Sequence, residues 1–152
     1  MKKLLPPVLY IALIIAMIAV CWMQGWPDNI SSPANYLGLI FAVGGLAIAF
    51  YHSRLFEKLN ANIMTFDKPT HLVKTGLFKY SRNPMYLGFL VSLLGVAIVF
   101  KGAYTSFALV LLFFAVSHFW YIPFEERYMA ETFGEDYARY CRETSRWLGV
   151  SR

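Results

Sequence analysis

Four long apolar segments constrain most strongly what this chain can fold into. They span residues 4–23, 34–53, 84–100 and 103–122, and a bilayer core about 30 Å thick needs about 20 mostly apolar residues per helical crossing. They are too long for strands and lack the alternation of a half-buried sheet. Because 58% of the residues are hydrophobic and only 15% are charged, we predict an all-α, polytopic membrane helical bundle with about four transmembrane helices.

The basic residues predict the orientation of the chain. Two of them, Lys2 and Lys3, precede the first segment, six lie in 54–82, five lie in 123–152, and Lys101 stands alone. Lysine and arginine are retained on the cytoplasmic side of a membrane. We therefore predict a single integral membrane domain over 1–152, with both termini, a loop over 54–82 and a tail over 123–152 in the cytoplasm.

The same distribution argues against several classes of partner. The net charge of +5 is divided among three segments beside the membrane, so we expect contact with membrane lipids and no nucleic acid. Cys21 lies in the first apolar segment and Cys141 in the tail, without the spacing of a metal site or a redox pair. We expect neither a metal nor a disulfide. Pro6 and Pro7 open a first segment without a clear cleavage pattern, so we expect it to be retained.

The loop and the start of the third segment contain a candidate ligand site. Gly76 permits a tight turn that can expose backbone amides. Asn83 and Pro84 are typical of an N-cap followed by proline at the first helical position. With Arg82 beside it, such a helix start suits a carboxylate or a phosphate, although Arg82 alone would equally serve as an anchor at the lipid headgroups.

Polar residues also gather at the end of the fourth segment. His118, Tyr121, Glu125 and Tyr128 or Met129 are three to four residues apart, so we predict that they share one helical face. Taken alone, Glu125 could as well be solvated and His118 could bond a neighbouring helix.

The tail is predicted to form two helical pieces. The first continues to Gly134, and the second restarts at Glu135 and Asp136 with tyrosines and arginines beyond. It would lie at the membrane interface or fold back over the loop as a lid.

Together these motifs resemble the isoprenylcysteine carboxyl methyltransferase and phospholipid methyltransferase group of membrane enzymes. The resemblance covers roughly residues 70–147 and rests on four ordered pieces: Gly76-Leu77-Phe78, Arg82-Asn83-Pro84-Met85-Tyr86-Leu87-Gly88, Glu125-Glu126, and Phe133-Gly134-Glu135-Asp136-Tyr137.

The resemblance implies that S-adenosylmethionine binds between the loop, the start of the third segment and the end of the fourth. Its cofactor contacts would fall on Thr70, His71, Leu72, Val73, Gly76, Phe78, Asn83, Pro84, Met85, Tyr86 and Glu125. Aromatic faces at Phe78 and Tyr86 suit an adenine or a sulfonium cation. Arg82 and Glu125 would be the catalytic residues, Arg82 by holding the carboxylate of the cofactor.

The acceptor implied by the resemblance is lipid-like or a small hydrophobic compound, entering between the third and fourth segments. Its reactive group would be the carboxylate of an isoprenylcysteine-like compound, a lipid amine or a thiol. Tyr121 stands where the eukaryotic isoprenylcysteine enzymes place an arginine associated with substrate, so the resemblance does not supply that contact for a carboxylate. Tyr121 and His118 are the candidate substrate contacts.

Two other functions stay open on the sequence. A membrane reductase of the sterol or steroid type would bind NADPH, with Lys74, Lys79 and Arg82 supplying positive charge. A non-enzymatic membrane scaffold would use a close-packing face for a partner, formed by Gly38, Gly44, Gly45 and Ala49. The scaffold gives no reason for the clusters around Arg82 and Glu125.

Overall fold

The computed structural model describes residues 5–26, 29–58 and 71–149 of the chain. Within these residues every extended regular element is helical, which confirms the predicted fold class. In chain order the elements are α1 (Pro6–Gln24), a 3-10 turn (Ala34–Leu37), α2 (Gly38–Lys58), a 3-10 turn (Gly76–Lys79), α3 (Pro84–Val99), α4 (Tyr104–Val116), a π-helical turn (Ser117–Tyr121) and α5 (Ile122–Glu143).

In the described residues, three stretches of helix are long and apolar enough to cross a membrane: Pro6–Gln24, Ala34–Leu55 and the N-terminal part of Tyr104–Glu143. A further apolar helix, α3, has 16 residues, which gives a length of about 24 Å. It is short against a bilayer core of about 30 Å. The result is a bundle of three long apolar helices and one shorter one.

Two helices continue beyond the predicted segment ends. The second runs to Lys58, past the predicted loop boundary at 54. The fourth does not stop at 122, because α4, the π-helical turn and α5 follow one another directly from Tyr104 to Glu143, with a kink at Gly134 inside α5. The first part of the tail is therefore a continuation of the fourth apolar helix. Thr70, a predicted cofactor contact, lies outside the described residues.

Glycines bring α2 and α3 into backbone contact. A Cβ atom added at Gly45 would collide with the backbone of Gly88 and Ser92, and one added at Gly38 would collide with the backbone of Gly95. Gly44, by contrast, has open space around it. The small residues proposed for a scaffold partner are thus largely used inside this chain, where they let two helices approach closely.

The two connections at one end of the bundle contact each other. The side-chain amide of Asn29 donates to the Gly102 carbonyl at 2.9 Å, and the Ile30 amide donates to the Lys101 carbonyl at 3.0 Å. The link between α1 and α2 therefore lies beside the link between α3 and α4. The loop before α3 and the tail after the fourth apolar helix lie at the opposite end.

The π-helical turn follows from a proline. Pro123 lacks an amide hydrogen, and its ring would clash with the carbonyl four residues earlier in a regular helix. The chain accommodates it by widening the preceding turn, in which the Ile122 amide bonds the Ser117 carbonyl five residues back. Such a turn changes the direction of the side chains within and after it, which here include those of Tyr121 and Glu125.

Candidate active site

The start of α3 lies against the tail. Asn83 and Pro84 occupy the N-cap and first helical positions, as predicted. The Asn83 side chain makes no capping hydrogen bond to the start of α3. Its side-chain Nδ2 donates instead to the Arg146 carbonyl at 3.0 Å in a part-buried contact with the tail.

Arg82 joins this helix start to the end of α5. Its Nη1 donates to the carbonyls of Cys141, at 3.1 Å, and Thr144, at 2.9 Å. Its backbone amide donates to the Ser145 carbonyl at 3.0 Å. The last carbonyls of a helix lack helical partners and carry partial negative charge, so a guanidinium is well suited to this position.

Glu126 is the negative centre of the same network. Its Oε1 accepts from Arg82 Nη2 at 2.9 Å, and its two oxygens accept from Arg146 at 3.2 and 2.5 Å. The Arg82 and Glu126 side chains are only 13% and 17% exposed. Burial lowers the pKa of Arg82, but the hydrogen bond and charge of Glu126 raise it, and the net pKa lies above its ordinary value. The guanidinium stays charged.

The tail also folds back over the loop. The Tyr140 hydroxyl donates to the Phe78 carbonyl at 2.7 Å, and the Gly149 amide donates to the Tyr80 carbonyl at 2.8 Å. The reversal is helped by the predicted break at Gly134, whose backbone (φ 49°, ψ −121°) is not helical and which lies within α5. Burial raises the pKa of Tyr140, so its hydroxyl remains a donor at neutral pH.

Tyr86 and Glu125 form the most direct link between α3 and the fourth apolar helix. The Tyr86 hydroxyl donates to Glu125 Oε1 at 2.7 Å, and the ring of Tyr121 stacks on that of Tyr86 with centroids 6.2 Å apart. Both tyrosines are buried, and Glu125 is half-buried. Two predicted cofactor residues and one predicted substrate residue are thus brought together.

His118 turns in a different direction from Tyr121 and Glu125. Its Nδ1 accepts a 3.0 Å hydrogen bond from Trp147 Nε1, and its ring stacks on Phe114. The predicted common face therefore holds for Tyr121 and Glu125 but not for His118, because His118 lies at the start of the π-helical turn. Trp147 was missed by sequence reasoning, since its partner lies 29 residues away and no local pattern connects them.

The loop residues predicted to bind the cofactor differ in burial. Val73 and Phe78 are buried and form a small apolar cluster with Leu55 of α2. Of the other predicted cofactor residues, His71 and Gly76 are exposed, Leu72 and Met85 are half-buried, and Pro84 is buried. Gly76 has φ +65°, which fits the turn expected of it.

An apolar groove of about 350 Å³ lies between α3 and α4, lined by Leu90, Val91, Leu94, Val110, Leu111 and Phe114. Phe114 also packs on Trp147, with ring centroids 5.0 Å apart. One lining residue of the groove thus touches the tail residue that bonds His118.

A family model for phospholipid methyltransferase matches residues 33–136, more than half of the chain. The chain belongs to the phospholipid methyltransferase family. The predicted resemblance is confirmed, and the family supports methyltransferase activity in a membrane. The match contains Arg82, Tyr86, Glu125 and Glu126, whereas Arg146 and Trp147 lie beyond its end. Searches of curated proteins and of solved structures found no match.

Proposed function

We propose that this phospholipid methyltransferase family member transfers a methyl group from S-adenosylmethionine to a lipid-like acceptor at the cytoplasmic face of a membrane. The observation that carries the proposal is the Tyr86–Glu125 hydrogen bond of 2.7 Å. It puts a carboxylate and two stacked aromatic rings at one end of a bundle of apolar helices, within the segment matched to the family.

These residue types fit the cofactor. A carboxylate such as Glu125 suits an ammonium group or ribose hydroxyls, and the faces of Tyr86 and Tyr121 suit a sulfonium cation. When bound, S-adenosylmethionine supplies a methyl group on a positively charged sulfur, and transfer leaves the bonding electron pair on sulfur in S-adenosylhomocysteine. The residues here would orient the two reactants and exclude water, which are the main demands of such a transfer.

The remaining predicted contacts are part of the proposal. The loop residues Thr70, His71, Leu72, Val73, Gly76 and Phe78, with Asn83, Pro84 and Met85 at the start of α3, would form the rest of the cofactor pocket. The contacts of the tail with Phe78, Tyr80 and Asn83 support a role of the tail in closing this region.

We assign Arg82 a positioning role. Three of its hydrogen bonds go to the end of α5 and to Glu126, so its guanidinium is already engaged in holding the tail on the helix start. Through this network Arg82 would keep the loop and α3 in place around the cofactor. The carboxylate contact predicted from the sequence would then be secondary.

The acceptor we favour is a lipid amine, with the carboxylate and thiol compounds as the other classes. The family match is to phospholipid methyltransferases, and the apolar groove between α3 and α4 would hold an acyl chain. Tyr121 and His118 would then lie on the acceptor side. In the transfer, the amine lone pair forms the new bond to carbon as the carbon–sulfur bond breaks, and the nitrogen of a primary or secondary amine releases a proton.

A cytoplasmic site follows from the positive-inside rule. Segments 54–82 and 123–152 of the sequence contain 11 of the 14 basic residues, and the described parts of the loop and the tail lie at one end of the bundle. The reductase alternative has less support, since Lys74 Nζ lies 3.4 Å from the Asp136 carbonyl while Arg82 is bonded to Glu126. Two of the three cations proposed for NADPH are therefore already engaged by groups of this chain.

The proposal is tested by transfer of a radiolabelled methyl group. Purified protein in vesicles with phosphatidylethanolamine is incubated with S-[methyl-³H]adenosylmethionine, and radioactivity is measured in the extracted lipid. Vesicles of phosphatidylglycerol alone, which contain no amine, are the negative control. A prenylated cysteine and a hydrophobic thiol are tested as the other acceptor classes. The proposal is supported if the wild type labels the lipid amine and the Glu125→Gln variant incorporates little label. No labelled product from any acceptor class, with folded protein and saturable cofactor binding, would contradict it.

A further inference from the structure

His52 is a fully buried ionisable side chain that belongs to neither the Tyr86–Glu125 contact nor the Arg82–Glu126 network. It lies near the cytoplasmic end of α2 and is 0% exposed. Its Nδ1 lies 2.8 Å from the Ile48 carbonyl. Because a carbonyl oxygen can only accept, Nδ1 carries the proton, and in this tautomer of the neutral imidazole Nε2 presents a lone pair.

That lone pair has no partner in the described part of the chain. Among the described residues, His52 Nε2 is buried without a hydrogen bond. A buried polar atom without a partner costs roughly 1–3 kcal/mol, so such atoms are uncommon unless a ligand or water completes them. His52 Nε2 is therefore a hydrogen-bond acceptor that a donor group of a ligand would satisfy.

The surroundings of His52 are aromatic. Its ring meets Phe78 edge to face with centroids 5.4 Å apart, and Tyr51 in a similar way at 5.1 Å. Phe78 packs on Val73 in the apolar cluster at the end of α2. Both of these loop residues are among the proposed cofactor contacts, so the unpaired nitrogen lies beside the part of the loop where the cofactor is expected.

We propose that His52 Nε2 accepts a hydrogen bond from the exocyclic amino group of the adenine of S-adenosylmethionine. This assignment rests on the proposed function. A neutral acceptor among aromatic rings suits the neutral, planar donor edge of adenine. The ammonium group of the same molecule would instead require a carboxylate, which Glu125 provides at the Tyr86 pair.

The test compares two ligands that differ at this amino group. Dissociation constants are measured for S-adenosylhomocysteine and S-inosylhomocysteine, whose 6-oxo group is an acceptor. The wild type should prefer the adenine ligand. His52→Phe should weaken binding of S-adenosylhomocysteine by about 10-fold, as for the loss of one hydrogen bond, and leave S-inosylhomocysteine nearly unchanged.

Tyr10→Phe is the matched control. It removes a hydroxyl that is hydrogen bonded to Ser92 at 2.7 Å in the core of the bundle, and it should leave the ligand preference unchanged. If His52→Phe folds and keeps the wild-type preference, the assignment of His52 is overturned while the methyltransferase proposal stands. If the wild type does not bind S-adenosylhomocysteine at all, both proposals fail.

A second measurement covers the case in which His52→Phe does not fold. The wild type, labelled with ¹⁵N in its histidines, is titrated with both ligands, and His71→Asn and His118→Asn identify the His52 resonance by elimination. We expect the Nε2 resonance of His52 to move with S-adenosylhomocysteine and to remain in place with S-inosylhomocysteine. Equal responses to the two ligands would overturn the assignment.

Discussion

The Tyr86 hydroxyl donates a 2.7 Å hydrogen bond to Glu125 Oε1, which ties the start of α3 to the fourth apolar helix beyond its π-helical turn. The next residue, Glu126, turns to Arg82 and Arg146 instead. Neighbouring residues of a helix point about 100° apart, so the two glutamates serve different surfaces. Glu125 faces the aromatic pair, and Glu126 holds the tail.

Replacement of Glu125 by glutamine should weaken binding of S-adenosylmethionine about 10- to 100-fold, because one charge-assisted contact to the cofactor is lost. Thermal unfolding should change little, since the amide can still accept from Tyr86. Isothermal titration in detergent measures the affinity. The control is Glu131→Gln, at an exposed position of α5, and equal affinities of the two variants would remove Glu125 from the site.

Replacement of Arg82 by alanine should lower the free energy of unfolding by about 2–3 kcal/mol, because Glu126 and the end of α5 lose a largely buried partner. Affinity should fall equally for S-adenosylmethionine and its decarboxylated analogue if Arg82 acts by positioning the tail. Arg139→Ala, at an exposed position of α5, is the control. A loss confined to S-adenosylmethionine would instead show a direct contact with the carboxylate.

Replacement of Trp147 by phenylalanine should lower the free energy of unfolding by about 1 kcal/mol, because His118 Nδ1 loses its donor while an aromatic ring still packs on Phe114. Chemical denaturation in mild detergent measures the effect. Trp22→Phe, at a position 80% exposed on α1, should be nearly neutral by comparison. Equal effects of the two substitutions would exclude a specific role for the indole–imidazole bond.

Alanine substitutions at the neighbouring glycines Gly44 and Gly45 of α2 should differ in their effect on stability. Gly45→Ala should destabilise the protein by about 1–3 kcal/mol, because its Cβ meets the backbone of α3. Gly44→Ala, which meets nothing within 4 Å, should be neutral or stabilising by up to about 1 kcal/mol through its helix propensity. The midpoint of thermal unfolding separates the two, and the reverse order would disprove the described packing of α2 on α3.

The stability that the Tyr140–Phe78 hydrogen bond gives to the packing of the tail on the loop should depend on pH. Burial raises the pKa of Tyr140 above its ordinary value near 10. Its stabilising contribution is therefore complete below pH of about 10 and is lost as the pH rises towards the higher pKa of the folded state. Tyr140→Phe, which removes the bond to the Phe78 carbonyl, should reduce this alkaline loss. If Tyr140→Phe and the wild type lose stability equally above pH of about 10, the Tyr140 hydroxyl is not the group responsible.

The helices and their breaks could be predicted because local physics determines them. Apolar length predicted the membrane helices, Pro84 predicted the start of α3, and Gly134 predicted the break within α5. The π-helical turn was missed, although Pro123 provided a signal for it in the sequence.

The partners of individual side chains could not be predicted in the same way. Arg82 and Glu126 are 44 residues apart, and Asn83 reaches Arg146 across 63 residues. The hydrogen-bond partners of these side chains depend on which backbone carbonyls and carboxylates the folded tail brings close. A local sequence pattern does not contain that information. The resemblance predicted Glu125 and Tyr86 as site residues, whereas the pairing of Glu126 with Arg82 and Arg146 emerged only in the fold.

Equilibrium binding of labelled S-adenosylmethionine to the detergent-purified protein tests the central claim most directly, with S-adenosylhomocysteine and NADPH as competitors. We expect saturable binding that S-adenosylhomocysteine displaces and NADPH does not. Displacement by NADPH, or no binding by a sample whose unfolding transition shows that it is folded, would contradict the methyltransferase assignment of the site.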